Sequence, residues 1–244
     1  MTTIFIKSYN KDFKLLYYAL KSIQLNVKGN YDVLLMLDNG HELPDHFKEV
    51  LNNVRVVYVE KEGNGYLFQQ WCKISAHKFT NSEYIMFSDS DCIFDHKINV
   101  DDYIADGKPE ILYTDYSKVG DAICWKQPTE AFIKEPMQYE MMRRNCLIYH
   151  RSTLEAIEQY EPNLKHIIIA NDRFSEFNAM SAYAWKYEKD KYNFINTDNW
   201  EYTEPKGVQL WSLADKDGNT THQQEYQRSL DTINKVFGLN LNEI

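Results

Sequence analysis

Glycine and proline are scarce in this chain, nine and six among 244 residues. That excludes collagen-like and low-complexity architectures and leaves most of the chain free for helices and strands. The four cysteines, Cys72, Cys92, Cys124 and Cys146, are scattered, with no C-x-x-C pair. This argues against a zinc knuckle, and thiols so placed fit a reduced cytoplasm. No apolar run approaches the ~20 residues that span a bilayer. The opening "MTTIFIKSYNKD" moves straight into a strand-like run, so no secretory signal is expected. Positive charge is also short. A formal net charge of -9 gives no general attraction to nucleic acid or anionic lipid, though a local basic patch stays open.

What is present is a core-forming composition, 43% apolar and 26% charged, in a length that suits one large domain or two small ones. The first part alternates strand and helix. "TIFIKS" is a short β-rich run, and Asp12 is placed to cap a helix whose Phe13, Leu16, Tyr17, Leu20 and Ile23 share a face. "DVLLMLD" is nearly continuous in apolar residues, as in a strand covered on both faces. Pro44 opens a short helix, "VRVVYVE" is a third strand, "GYLFQQWCKISAHKF" a helix and "EYIMFS" a fourth strand. This spacing predicts βαβ units and a parallel sheet, whose ligands collect at the carboxyl ends of strands. Ser8, Asp38, Glu60 and Asp89 fall at such ends. After about residue 110 the pattern is less regular. "EILYT", "NCLIYH", "YNFINT" and "VQLWS" read as strands; "STLEAIEQY" reads as a helix with a capping box from Ser152 to Glu155. "SEFNAMSAYAWKY" and a C-terminal segment closed by Gly238 read as helices.

The fourth strand ends in "SDSDC". Ionised carboxylates at the end of a buried strand are either solvated or share a cation. Asp89 and Asp91, two apart, point to one side in strand geometry. There they can hold Mn²⁺ or Mg²⁺, whose shell phosphate oxygens complete. The solvated strand end is the plainer reading of any D-x-D; its place after a buried strand of a nucleotide-type sheet favours the cation.

With this motif the sequence resembles the glycosyltransferases of the GT-A fold, whose D-x-D holds a metal on the diphosphate of a nucleotide sugar. "GYLFQQWCKI", Gly65 to Ile74, resembles the G-(W/Y)-x-x-Q-Q-x-x-K-(L/I) segment of small bacterial and phage members, and "YEMMRRNCLIYHRSTL" is also similar to that group. The resemblance is good from Thr2 to about Phe94 and patchy from Tyr139 onward. It implies an α/β fold of the GT-A, Rossmann-like type: a mostly parallel central sheet flanked by helices. One domain over 1–244 is expected, with a nucleotide-sugar-binding half over 1–110 and a less regular acceptor-binding half over 111–244.

The resemblance implies transfer of a sugar from a UDP-sugar to an acceptor hydroxyl, with inversion. Donor contacts are expected from Ser8, Tyr9, Asp38, Gly65, Gln70, Lys73, Asp89 and Ser90. Metal ligands are expected from Asp89, Asp91 and a late histidine, His222. Glu176, or Asp172 one helical turn before it, is the expected acceptor-side base. Acceptor contacts are expected from Arg143, Arg144, Asn178 and Trp211. A hydroxymethylcytosine in phage DNA, or a sugar on it, is one expected acceptor, in the host cytoplasm; cell-surface glycan and small molecules are the others. From Lys118 to Arg151 six Lys or Arg stand against four Asp or Glu, and Trp125 and Trp211 suit stacking on a base turned out of the duplex. A sugar-nucleotide pyrophosphorylase would want a Gly-rich loop after strand one, where "KSYNKDF" has none. A haloacid-dehalogenase-type phosphatase would want its D-x-D after the first strand. A non-enzymatic carbohydrate-binding protein is the remaining rival; the intact D-x-D and Q-Q-x-x-K argue against it.

Overall fold

The longest apolar runs become the central strands. In the computed structural model, which describes residues 1–143, 146–171, 173–198, 208–209, 227 and 231–238, β1 (Thr2–Ser8) is buried at every position. β2 (Tyr31–Asp38) is buried at its last six positions. β3 (Val54–Val59) and β4 (Tyr84–Phe87) complete a parallel set in the order β3-β2-β1-β4. Successive side chains leave opposite faces of a strand. Phe5, Leu34, Met36, Ile85 and Phe87 accordingly enter one apolar cluster, and Ile4, Ile6, Val33, Leu35, Leu37 and Met86 enter another. A sheet covered on both faces accounts for the near-continuous runs. The edge strand β3 instead exposes Arg55 and Tyr58.

Helix α1 (Phe13–Asn26) covers the second cluster with Phe13, Leu16, Leu20 and Ile23. Asp12 stands at its N-cap without a capping bond. Its carboxylate accepts the Ser90 hydroxyl at 3.3 Å, so it ties α1 to the loop after β4. The segment after Pro44 is a 3-10 helix over Asp45–Glu49, not an α-helix. Helix α2 (Gly65–Ile74) begins at Asn64, whose side chain accepts the Tyr66 N–H. It is shorter than the expected helix, because Ser75–Phe79 tightens into 3-10 turns.

The later half adds β5 (Lys108–Asp115), α3 (Lys126–Ile133), β6 (Ile148–His150), α4 (Arg151–Tyr160), α5 (Leu164–Ile169), α6 (Glu176–Tyr187) and β7 (Asn193–Asn196). β6 returns to the main sheet and pairs antiparallel with β4. β5 pairs in parallel with β7 and antiparallel with Tyr139–Glu140, forming a second sheet. The capping box expected at Ser152 does not form. The helix starts one residue earlier, at Arg151, which pairs with Glu155 instead. Of "VQLWS", Val208–Gln209 pair with Cys92–Ile93, and the rest lies outside the described residues. Residues 231–237 are helical, and Gly238, at φ +63°, closes that helix by donating its N–H to Asn234 O at 2.8 Å. Among the described residues no helix is long and apolar enough to cross a membrane.

The strand order reverses at β1, which has β2 on one side and β4 on the other. A crevice opens where neighbouring strands lead away in opposite directions, at their carboxyl ends. The residues after β1 and after β4 therefore frame the site.

Candidate active site

A cavity of about 560 Å³ occupies that crevice, within the range typical of small-ligand sites. Ser8, Tyr9, Asp38, Gly65, Gln70, Lys73, Asp89, Ser90, Asp91 and Glu176 all line it. The structure thus brings together every expected donor residue, both D-x-D carboxylates and one of the two candidate bases. Asp172, Arg144, Trp211 and His222 lie outside the described residues.

The two acids are not juxtaposed by strand pleating, as the period-two reading supposed. β4 ends at Phe87, and a turn closed by the Cys92 N–H to Asp89 O at 3.0 Å carries both. Ligand atoms of Asp89, Asp91 and Cys92 lie within 4.8 Å of one another. Burial pushes the Cys92 thiol well above its ordinary value. Two carboxylates open to a cavity suit a hard divalent cation that fills its shell from a ligand's oxygens.

Lys73, in the last turn of α2, joins this turn to α6. Its Nζ is 2.7 Å from Asp89 Oδ1 and 2.7 Å from Glu176 Oε1, and it is 3% exposed. Burial alone would lower the ammonium's pKa. The Asp89 and Glu176 charges outweigh that and hold it above the ordinary lysine range. Glu176 is the first residue of α6. Ser175 caps that helix by accepting the Asn178 N–H, which sets the direction in which Glu176 enters the cavity. Tyr66, on the first turn of α2 and 50% exposed, lines the rim, and Trp125 lines the same cavity. Burial, followed by the Glu176 charge, raises the Tyr66 phenol.

At the floor, Lys7 Nζ is 2.7 Å from Asp38 Oδ1 and 2.8 Å from Ser8 O, and both side chains are buried. The sequence reading missed Lys7, although a lone cation inside a fully buried strand was a signal that some anion had to meet it. Nearby polar groups are left over. Neither end of the Gln70 amide, nor the Ser8 hydroxyl, finds a hydrogen-bond partner among the described residues. Buried groups in that state cost about 1–3 kcal/mol each, which a polar ligand can recover. The cavity is lined by Asp12, Asp38, Asp89, Asp91 and Glu176 against Lys7, Lys61 and Lys73, two negative charges in excess.

Two expected acceptor residues do not face the cavity. Asn178 is 1% exposed, and its side chain is spent on Glu140 Oε1, Ser175 Oγ and the Met141 N–H. Arg143 pairs with Glu140, a fully buried carboxylate. The other described lysines and arginine of the basic stretch are likewise matched. Lys118 pairs with Asp198, Lys126 with Glu130, Lys134 with Glu161 and Arg151 with Glu155.

No protein-family model matches the chain. No curated protein matches it either. Solved structures do. The galactosyltransferase LgtC, crystallised with donor and acceptor sugar analogues, superposes with a TM-score of 0.57 at 8% identity, covering 98% of each chain. An active-site mutant of LgtC gives 0.55 at 9% identity, covering 95% of this chain and 96% of that one. Nearly full coverage at so low an identity establishes architecture alone: this chain carries the α/β fold, with a mostly parallel central sheet, seen in GT-A-type glycosyltransferases.

Proposed function

We propose that this protein is a glycosyltransferase that moves a sugar from a nucleotide-diphosphate sugar, UDP-linked, to an acceptor hydroxyl with a divalent cation. The observation that carries the reading is the Asp89–Lys73–Glu176 chain at the strand-order reversal, in a cavity that also holds Asp91 and the unsatisfied Gln70 amide. With two negative charges in excess, that cavity would repel a diphosphate on its own. A cation, Mn²⁺ or Mg²⁺, held by Asp89 and Asp91 would supply the missing positive charge and polarise the leaving diphosphate.

The chain's own residues do the rest. Gln70, Ser8 and the Lys7–Asp38 pair offer hydrogen bonds to the donor's uncharged parts. Lys73 stands ready to donate to a phosphate oxygen. Glu176 accepts the proton of the acceptor hydroxyl as it attacks the anomeric carbon, in an inverting transfer. Tyr66 and Trp125 form an aromatic rim suited to the apolar face of an acceptor sugar. For the acceptor, a neutral glycan or small molecule fits better than duplex DNA carrying hydroxymethylcytosine. DNA affinity rests on unpaired cations facing phosphates, and the described cations of the 118–151 stretch are each matched by an acid.

A thermal-shift panel of UDP-, GDP-, ADP- and dTDP-sugars, with and without Mn²⁺, tests the donor. Ligand at a hundredfold excess over Kd stabilises by about 2.7 kcal/mol. For a chain of this size that is a rise of roughly 5–10 °C. A rise with one nucleotide class that needs the cation supports the reading. Flat melting curves across the panel would remove it.

A further inference from the structure

Lys73 makes two contacts of different kinds. Its bond to Glu176 Oε1 is aligned as a hydrogen bond. Asp89 Oδ1, at the same 2.7 Å, lies off the aligned hydrogen-bond direction, so charge carries more of that contact. Surroundings differ as well. The Lys73 and Glu176 side chains are 3% and 8% exposed, and the Phe177 ring centroid lies 4.5 Å from the ammonium. Asp89 is 31% exposed and shares its turn with Asp91. One side of the ammonium is locked into α6, and the other rests on the carboxylate that opens to the cavity.

A cation arriving at Asp89 and Asp91 would meet an ammonium already seated on Asp89. Two cations on one carboxylate repel strongly at such range, more so in a partly buried site than in water. An entering diphosphate changes the balance, since its oxygens can accept the Lys73 N–H groups and draw the ammonium away.

Resting on the nucleotide-sugar reading above, we propose that Lys73 is a positioning residue that keeps the cation's place on Asp89 until a diphosphate arrives. When the phosphate oxygens draw the ammonium off Asp89, that carboxylate is released to the cation, while the aligned bond to Glu176 keeps Lys73 on α6. Cation and diphosphate must raise each other's affinity by the same factor, as linkage requires. Part of that factor is the removal of Lys73 from Asp89.

The test is Mn²⁺ binding by the full chain without nucleotide, followed by calorimetry and by the electron paramagnetic resonance of free Mn²⁺. Lys73→Met is expected to bind Mn²⁺ at least about ten-fold tighter than wild type, because the competing cation is gone. Lys73→Arg keeps the charge and is expected to stay within about three-fold of wild type. Lys61→Met removes another, exposed lysine of the same cavity and is expected to change affinity by less than about two-fold. Equal tightening in Lys61→Met and Lys73→Met would reduce the effect to general charge and overturn the proposal. So would Lys73→Met without tighter binding, or Lys73→Arg as tight as Lys73→Met. Should Lys73→Met fail to fold by circular dichroism, Lys73→Gln, which keeps an N–H for Glu176, carries the same expectation. A parallel arm titrates wild type with Mn²⁺ plus UDP, GDP, ADP or dTDP. Absence of binding with all four counts against the transferase reading itself. Binding there, with no tightening in the Lys73 variants, sinks only the role given to Lys73.

Discussion

Asp38→Asn removes one half of the pair at the cavity floor and leaves the other half stranded. Lys7 is 5% exposed and, among the described residues, keeps only the Ser8 carbonyl, at 2.8 Å, and the Phe68 ring, 5.9 Å from its Nζ. Removing one partner of a buried ion pair costs about 3–5 kcal/mol. Asn retains an oxygen that can accept one Lys7 hydrogen, so the lower end, about 3 kcal/mol, applies. For a domain of this length each kcal/mol moves the melting midpoint by roughly 2–4 °C, which predicts a fall of about 6–12 °C. Replacing both charges, Lys7→Met with Asp38→Leu, leaves no orphaned ion and is expected to recover most of that loss. The pair should therefore show strong non-additivity in a double-mutant cycle read by thermal and urea unfolding. Donor binding should stay impaired in Asp38→Asn and in the double variant, since the pair lines the cavity. An Asp38→Asn midpoint within about 2 °C of wild type would refute the reasoning, given the slope used. A double variant as unstable as the sum of its singles would refute it too.

Asp91→Ala should abolish transfer while leaving the melting midpoint within a few degrees, and excess chelator should do the same to wild type; activity that survives either treatment removes the cation from the mechanism. Glu176→Gln keeps the shape and loses the basicity, so the transfer rate should fall roughly 10²–10⁴-fold with donor affinity retained. A product that keeps the donor's anomeric configuration would end the general-base role whatever the rate. Gln70→Leu deletes two buried polar atoms that the protein leaves unsatisfied, and should stabilise the ligand-free chain by about 1 kcal/mol while weakening donor binding. A variant that melts lower, or binds donor as well as wild type, would contradict that assignment.

The parallel half of the fold was legible because its strands are buried on both faces and so announce themselves as apolar runs. Helix α2 was legible in "GYLFQQWCKISAHKF", although the last five residues of that stretch are 3-10 turns. β5, β6 and β7 were read from "EILYT", "NCLIYH" and "YNFINT", whereas the two-residue strand Tyr139–Glu140 is too short for a period to register. The capping errors at Asp12 and Ser152 differ in cause: α4 starts at Arg151, so Ser152 lies inside the helix, whereas Asp12 is engaged from afar. A sequence shows which side chains can cap a helix, but not that a distant loop takes the same oxygen, as Ser90 does with Asp12. The D-x-D was found, though for the wrong geometry, a pleat instead of a turn. The bond from Lys73 to Glu176 spans 103 positions and leaves no local trace. Asn178 and Arg143 meet Glu140, a buried acid that only the tertiary fold places beside Asn178, although it lies three positions before Arg143.

The late arrival of β6 has a consequence for how the chain is made. β4 gains its second neighbour only when residues 148–150 reach it. A chain emerging from the ribosome folds from its amino end. Through that interval Tyr84–Phe87 presents an unpaired row of N–H and C=O groups beside apolar side chains, a template for joining another chain. Glu176, on the far side of that wait, is not yet in reach of Lys73, which is buried in the finished site and at this stage carries its charge unmatched on that side. The edge of β4 is thus bare over the same interval in which the cavity still lacks Glu176.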